Sequence, residues 1–68
     1  MDIKEIFGQK VKLMRKAKEL SQEDLAKKSG LNRPYISAIE KGKRNISLEV
    51  IEKLAEALEI EIKEFFGD

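Results

Sequence analysis

Residues 21–42, SQEDLAKKSGLNRPYISAIEKG, hold two short helical patterns on either side of a single glycine. Ser21 is a good N-cap, and Asp24, three residues on, is its capping-box partner. Leu25 and Ala26 face inward. Gly30 ends the first pattern, because that position calls for a left-handed backbone. Leu31 then turns inward and Asn32 caps a second helix. Pro34 falls in that helix's first turn, where a missing N–H is harmless. Ile36 and Ile39 form its buried stripe, and Gly42 ends it as Gly30 ended the one before.

Working outward, residues 3–18 form another amphipathic helix. Asp2 caps it, with Glu5 as box partner, and Phe7, Val11 and Met14 recur on one face. Lys10, Lys12, Arg15, Lys16 and Lys18 make its last turns cationic, which suits a helix C-terminus. Beyond residue 42, Lys43, Arg44 and Asn45 form a polar loop. Ser47 caps a fourth helix with the stripe Leu48, Ile51, Leu54, Ala55 and Leu58. A short fifth helix, about residues 62–66, closes the pattern. Strand-like alternation is confined to Glu59-Ile60-Glu61-Ile62. The expectation is an all-α, compact five-helix fold making a single domain over residues 1–68.

Composition narrows the chemistry. The chain has 68 residues, enough for one small domain. It contains no cysteine and no histidine, which removes disulfides, thiolate chemistry, the commonest general base and the commonest metal ligand. No glycine-rich phosphate loop or carboxylate constellation is present, so neither an enzyme nor a cofactor is expected. No apolar run approaches the ~20 residues of a membrane span, and MDIKEIFG does not look like a signal peptide. A cytoplasmic protein without a membrane partner is the expectation. The net charge of +1 hides an asymmetry. Residues 1–46 carry twelve Lys/Arg against six Asp/Glu, and residues 47–68 carry two against seven. A neutral whole does not exclude a polyanion, because binding responds to local potential.

Two short helices with a tight turn between them form a helix-turn-helix, whose second helix can enter the major groove of double-stranded DNA. Such a helix needs a fixed inner face, a projecting start, and flanking donors and cations for phosphates. Ile36 and Ile39 supply the first. Arg33, Pro34, Ser37 and Ala38, on the opposite face, supply the second as candidate base contacts. Gln22, where free N–H groups favour an anion, and Lys43 and Arg44 supply the third. Asn32 and Tyr35 join them as candidate phosphate contacts, although Tyr35 suits the edge of the core equally well.

In these residues the sequence resembles the phage-repressor/Cro-type helix-turn-helix family, also called the xenobiotic-response-element family. The resemblance runs from about Phe7 to Phe66. It rests on Arg15, Leu20-Ser21-Gln22, Leu25-Ala26, Gly30-Leu31, Ile36-Ser37, Ile39-Glu40, Gly42-Lys43 and Leu54-Ala55-Leu58. Tyr35-Ile36-Ser37 and residues 42–47, GKRNIS, are also similar to the restriction–modification controller proteins. The family implies a lambda-repressor-like domain of five α-helices and a homodimer on a two-fold operator. It implies a phosphate-binding role for Gln22, base-facing roles for Arg33, Pro34, Ser37 and Ala38, and a phosphate-contacting loop at Lys43, Arg44 and Asn45. It also implies an internal salt bridge between Arg15 and Glu40. The chain departs from the family at Pro34 and Ala38, where many members carry a long polar residue. Hydrogen-bonded readout then rests mainly on Arg33 and Ser37, with apolar contacts to thymine methyls from the other two.

The acidic second half should face away from a duplex. Ile60, Ile62, Phe65 and Phe66 are more apolar surface than a five-helix monomer easily hides, and a homodimer interface would bury part of it. Phe7, Met14 and Phe65 read as core, with Phe66 the foremost interface residue. The rival reading is a protein-interaction module of the same fold, such as an antitoxin-like or co-regulator subunit working through its acidic, apolar face. No small-molecule ligand is expected, since no effector domain follows residue 68.

Overall fold

Side-chain caps written into the sequence start all four α-helices, and those caps set the element boundaries. The computed structural model describes residues 2–67. In order these form α1 (Ile3–Ala17), α2 (Gln22–Ser29), α3 (Arg33–Glu40), α4 (Leu48–Leu58) and a single 3-10 turn, Ile62–Phe65. The Glu5 N–H donates to Asp2 Oδ1 (3.0 Å), and the Asp2 N–H returns a bond to Glu5 Oε1 (3.3 Å). Ser21 and Asp24 exchange the same pair of bonds at the start of α2, at 2.9 and 3.0 Å. Asn32 Oδ1 accepts from the Tyr35 N–H (2.8 Å), and Ser47 Oγ accepts from the Val50 N–H (3.2 Å). Each such cap stabilises its helix by about 1 kcal/mol. Gly30 ends α2 with φ 77°, a conformation that costs glycine nothing.

The amphipathic faces close around one core of Phe7, Val11, Leu25, Ala26, Ile36, Ile39, Leu54, Ala55, Leu58 and Phe65. α3 packs chiefly on α1 and α2, while α4 packs on α2 and α1. Full burial of a side chain of the Leu, Ile or Phe class contributes about 1.5–3 kcal/mol, so seven fully buried large ones dominate the stability. Phe7 and Phe65 meet at 4.8 Å between ring centroids with a 54° tilt, a favoured aromatic geometry. Lys10 Nζ donates to the Gly67 carbonyl (2.9 Å) and ties the end of the chain to α1.

Two expectations need correction. Among the described residues the fold has four α-helices, and the fifth element is one 3-10 turn. Four residues between Glu61 and Phe66 give no room for a run of i→i+4 bonds, so the segment closes as a tighter turn with Phe65 as its anchor. In keeping with the all-α expectation, the alternating stretch Glu59–Ile62 forms no strand, and among the described residues none exists. Glu59 instead takes the left-handed conformation at the α4 C-cap (φ 59°) and reverses the chain. Leu48, assigned to the buried stripe of α4, is 82 % exposed. The first turn of α4 overhangs the core edge, so Leu48 has the correct spacing and no floor beneath it.

Gly8 sits inside α1, buried, and an added Cβ there would run into the backbone carbonyl oxygen of Ile39. Helices α1 and α3 therefore touch backbone to backbone. In an open helix interior Gly→Ala stabilises by about 1 kcal/mol. Here Gly8→Ala is expected to destabilise instead, by at least the ~1–3 kcal/mol typical of overpacking, read as a lower urea midpoint.

The backbone N–H of Ser21 holds the Asp24 carboxyl below its ordinary range, and that of Glu5 does the same for Asp2. A lowered folded value means these caps contribute in full above the ordinary aspartate range, near pH 4. Their contribution disappears as pH falls through the lowered values. The thermal midpoint should accordingly be insensitive to these two groups from neutral pH down to about pH 4 and fall below it. The fall should be shallower in Asp24→Asn, followed by circular dichroism.

Candidate nucleic-acid interface

Helix α3 is rigid on one side and open on the other. Ile36 and Ile39 are fully buried or nearly so, which fixes its rotation about its own axis. Arg33 and Pro34 are then exposed, and Ser37 and Ala38 half-exposed, along the opposite edge. Pro34 lies in the first turn of the helix, so no intrahelical bond is lost there. The projecting edge combines a guanidinium, a hydroxyl and two small apolar surfaces, the donor and methyl-contact set suited to base edges in a major groove.

The far end of α3 is held by charge. Arg15 Nε donates to Glu40 Oε2 (2.7 Å), Arg15 Nη2 to Glu40 Oε1 (3.0 Å) and Arg15 Nη1 to the Leu20 carbonyl (2.8 Å). The two side chains are 8 % and 3 % exposed. The bond to Glu40 raises the Arg15 pKa above its ordinary value, so the guanidinium stays charged at any physiological pH. Gln22, the first residue of α2, donates its side-chain amide to Glu40 Oε1 (3.1 Å). The buried Arg15–Glu40 pair thus ties together the end of α1, the α1–α2 turn, the start of α2 and the end of α3.

Other candidate contacts are more constrained than the sequence implied. The Gln22 amide is engaged by Glu40, leaving the α2 N-terminus and the other amide hydrogen for an outside anion. The side-chain oxygen of Asn32 is occupied by its cap. Lys43, Arg44 and Asn45 are exposed in the α3–α4 connection. Among the described residues no carboxylate pairs with Arg33, Lys43 or Arg44. Tyr35 packs half-buried on the core, and the Arg44 guanidinium carbon lies over its ring, 4.6 Å from the centroid.

A second surface lies on α4 and the 3-10 turn. Leu48, Ile62 and Phe66 are exposed and, with Ile51, line an open apolar trough flanked by Glu49 and Glu52. Phe66 is 55 % exposed and stacks on Phe7 (5.8 Å between centroids, 27°). Ile60 is half-buried against the core. Phe65 is fully buried and drops out of the apolar interface group, because its ring is already spent inside the subunit. Leu48 was the residue missed here. Its place one position after a serine cap was the available signal, since first-turn residues often overhang a core.

Comparison with known proteins agrees with this geometry. A helix-turn-helix family model matches residues 11–65. The control protein C.MunI of Mycoplasma sp is 50 % identical over 68 residues, covering 98 % of this chain and 92 % of the relative. The control protein C.BamHI of Bacillus amyloliquefaciens is 48 % identical over 64 residues, covering 93 % and 79 %. Among solved structures, the restriction-modification controller protein C.AhdI from Aeromonas hydrophila superposes with a TM-score of 0.91 at 52 % identity, covering 93 % of this chain and 96 % of that one.

The buried carboxylate makes a sharp stability test. Glu40→Ala strands the Arg15 charge and should cost about 3–5 kcal/mol. The double replacement Arg15→Met, Glu40→Leu removes both charges and should lose less than the single variant in urea unfolding.

Proposed function

This chain belongs to the helix-turn-helix family of the Cro/C1 type, and from that premise we propose that it is a sequence-specific transcriptional regulator binding a two-fold symmetric DNA operator as a homodimer. The observation that carries the proposal is the two-sidedness of α3. Its inner edge is locked by Ile36 and Ile39, while its outer edge and the Lys43–Asn45 loop stand exposed, their cations paired with no carboxylate among the described residues.

In this reading the chain works as one domain over residues 1–68, in the cytoplasm. Arg33, Pro34, Ser37 and Ala38 face the bases of one major groove. The N–H groups at the start of α2, with Gln22, and the residues Asn32, Lys43, Arg44 and Asn45 face phosphates on either side, and Tyr35 takes part through the ring that lies against Arg44. The role of Gln22 is the α2 start it occupies, since its amide is shared with Glu40. The partner subunit covers Leu48, Ile62 and Phe66, which line the trough that a lone subunit leaves in water, together with the half-buried Ile60. A subunit of 28 Å longest extent allows two copies to address half-sites about 34 Å apart, one helical turn. Seven carboxylates in residues 47–68 favour placing that segment away from the duplex. The relatives described as control proteins support a regulator rather than an enzyme. Among the described residues no helix is long and apolar enough to cross a membrane.

The test is selection from a randomised duplex library at near-physiological salt, with sequencing of the bound pool. A two-fold symmetric consensus with half-sites one turn apart is expected. Arg33→Ala should then relax preference at one base-pair position, a loss of roughly 1–3 kcal/mol of discrimination. Lys43→Ala should weaken every sequence and flatten the salt dependence by about one counterion. An unenriched pool from folded protein would favour the rival module, acting through the Leu48–Phe66 trough.

A further inference from the structure

Arg44 occupies the least supported part of the α3–α4 connection. The Lys43 N–H donates to the Ala38 carbonyl (3.0 Å), but among the described residues no backbone or side-chain hydrogen bond engages Arg44, Asn45 or Ile46. Ile46 holds the loop by packing on the core. Among the described residues Arg44 has no carboxylate partner, and what it has is the face of Tyr35, 4.6 Å from guanidinium carbon to ring centroid. That ring is a firm platform. Tyr35 stands in the first turn of α3, its N–H capped by Asn32 and its ring half-buried against the core. The Tyr35 hydroxyl makes no hydrogen bond among the described residues.

We propose that Tyr35 is a positioning residue for DNA binding: its ring face holds the Arg44 guanidinium so that the N–H edges are presented, already ordered, to a DNA phosphate. The inference rests on reading Lys43–Asn45 as the phosphate-contacting loop. Contact with a ring face consumes none of the five guanidinium donors, so Arg44 keeps its full capacity for a phosphate. A long side chain ordered before binding loses less freedom on binding. Lys43, also exposed, has no aromatic platform among the described residues. Tyr35 therefore acts through its ring, which a phenylalanine reproduces, and not through its hydroxyl.

The experiment uses the full chain, a short mixed-sequence duplex as probe, and titration across a range of salt. Arg44→Ala should flatten the salt slope by about one; an unchanged slope would remove the phosphate reading itself. Given that flattening, Tyr35→Leu should weaken binding roughly two- to five-fold, the size of an exposed cation–π contact, and Tyr35→Phe should bind as the parent does. In the Arg44→Ala background Tyr35→Leu should have no further effect. Equal losses in the Phe and Leu variants, or losses that add to Arg44→Ala, would overturn the proposal. A readout independent of DNA and of any variant's folding is the NMR shift of the Arg44 Nε–H in the free parent protein. It should lie upfield from the Tyr35 ring current, and an ordinary arginine shift there also overturns the proposal.

Discussion

The ion pair between Arg15 and Glu40 is the constraint on which the rest of the arrangement depends. Both groups lie almost entirely out of water, where an ionised side chain is costly unless its hydrogen bonds are met. They are met: the guanidinium spends its bonds on both Glu40 oxygens and the Leu20 carbonyl, and Gln22 adds a second donor to the carboxylate. Among the described residues no buried side-chain nitrogen or oxygen lacks a partner. Apolar residues of similar volume would fill the space without prescribing direction. Directional bonds from one carboxylate to the end of α1 and the start of α2 fix where α3 ends relative to both. The spacing between the start of α2 and the exposed edge of α3 is therefore set by a bond and not by packing alone.

The other clamp on α3 is steric. At Gly8 the α1 backbone lies directly against the carbonyls of Ile39 and Glu40. The last turn of α3 is thus pinned by a side-chain bond on one flank and by backbone contact on another. Its first turn is held by the Asn32 cap and the buried Ile36. Little freedom remains for the exposed edge to tilt, which is what a rigid reading surface requires.

Much of this was legible in the sequence, for identifiable reasons. Caps are local chemistry, so Asp2 with Glu5, Ser21 with Asp24, Asn32 and Ser47 could be read from spacing of three residues, and all four start helices. The stripe residues Val11, Leu25, Ile36, Ile39, Leu54 and Leu58 followed from periodicity and are all buried. What stayed hidden depends on neighbours distant in the chain. Periodicity gives Leu48 a face without saying whether anything lies under it. Nothing local distinguishes Gly8 as a contact point from Gly8 as a break. The bond from Gln22 to Glu40 spans 18 positions and the ring of Tyr35 under Arg44 spans nine, beyond any pattern read along one helix. The count of five helices failed at Ile62–Phe65, where a segment of turn length looks the same as the start of a helix.

The division of charge along the chain has a consequence for kinetics. Residues through Ile46 carry the cations, and α4 with the turn after it carries the carboxylates. A small body charged in this way is an electric dipole with almost no net charge. In the field of a polyanion it feels little overall pull and a substantial torque. Within a Debye length, about 8 Å at physiological ionic strength, that torque rotates the cationic half forward before contact. Encounters then begin in a narrow range of orientations, and the bias fades as added salt shortens the reach of the field.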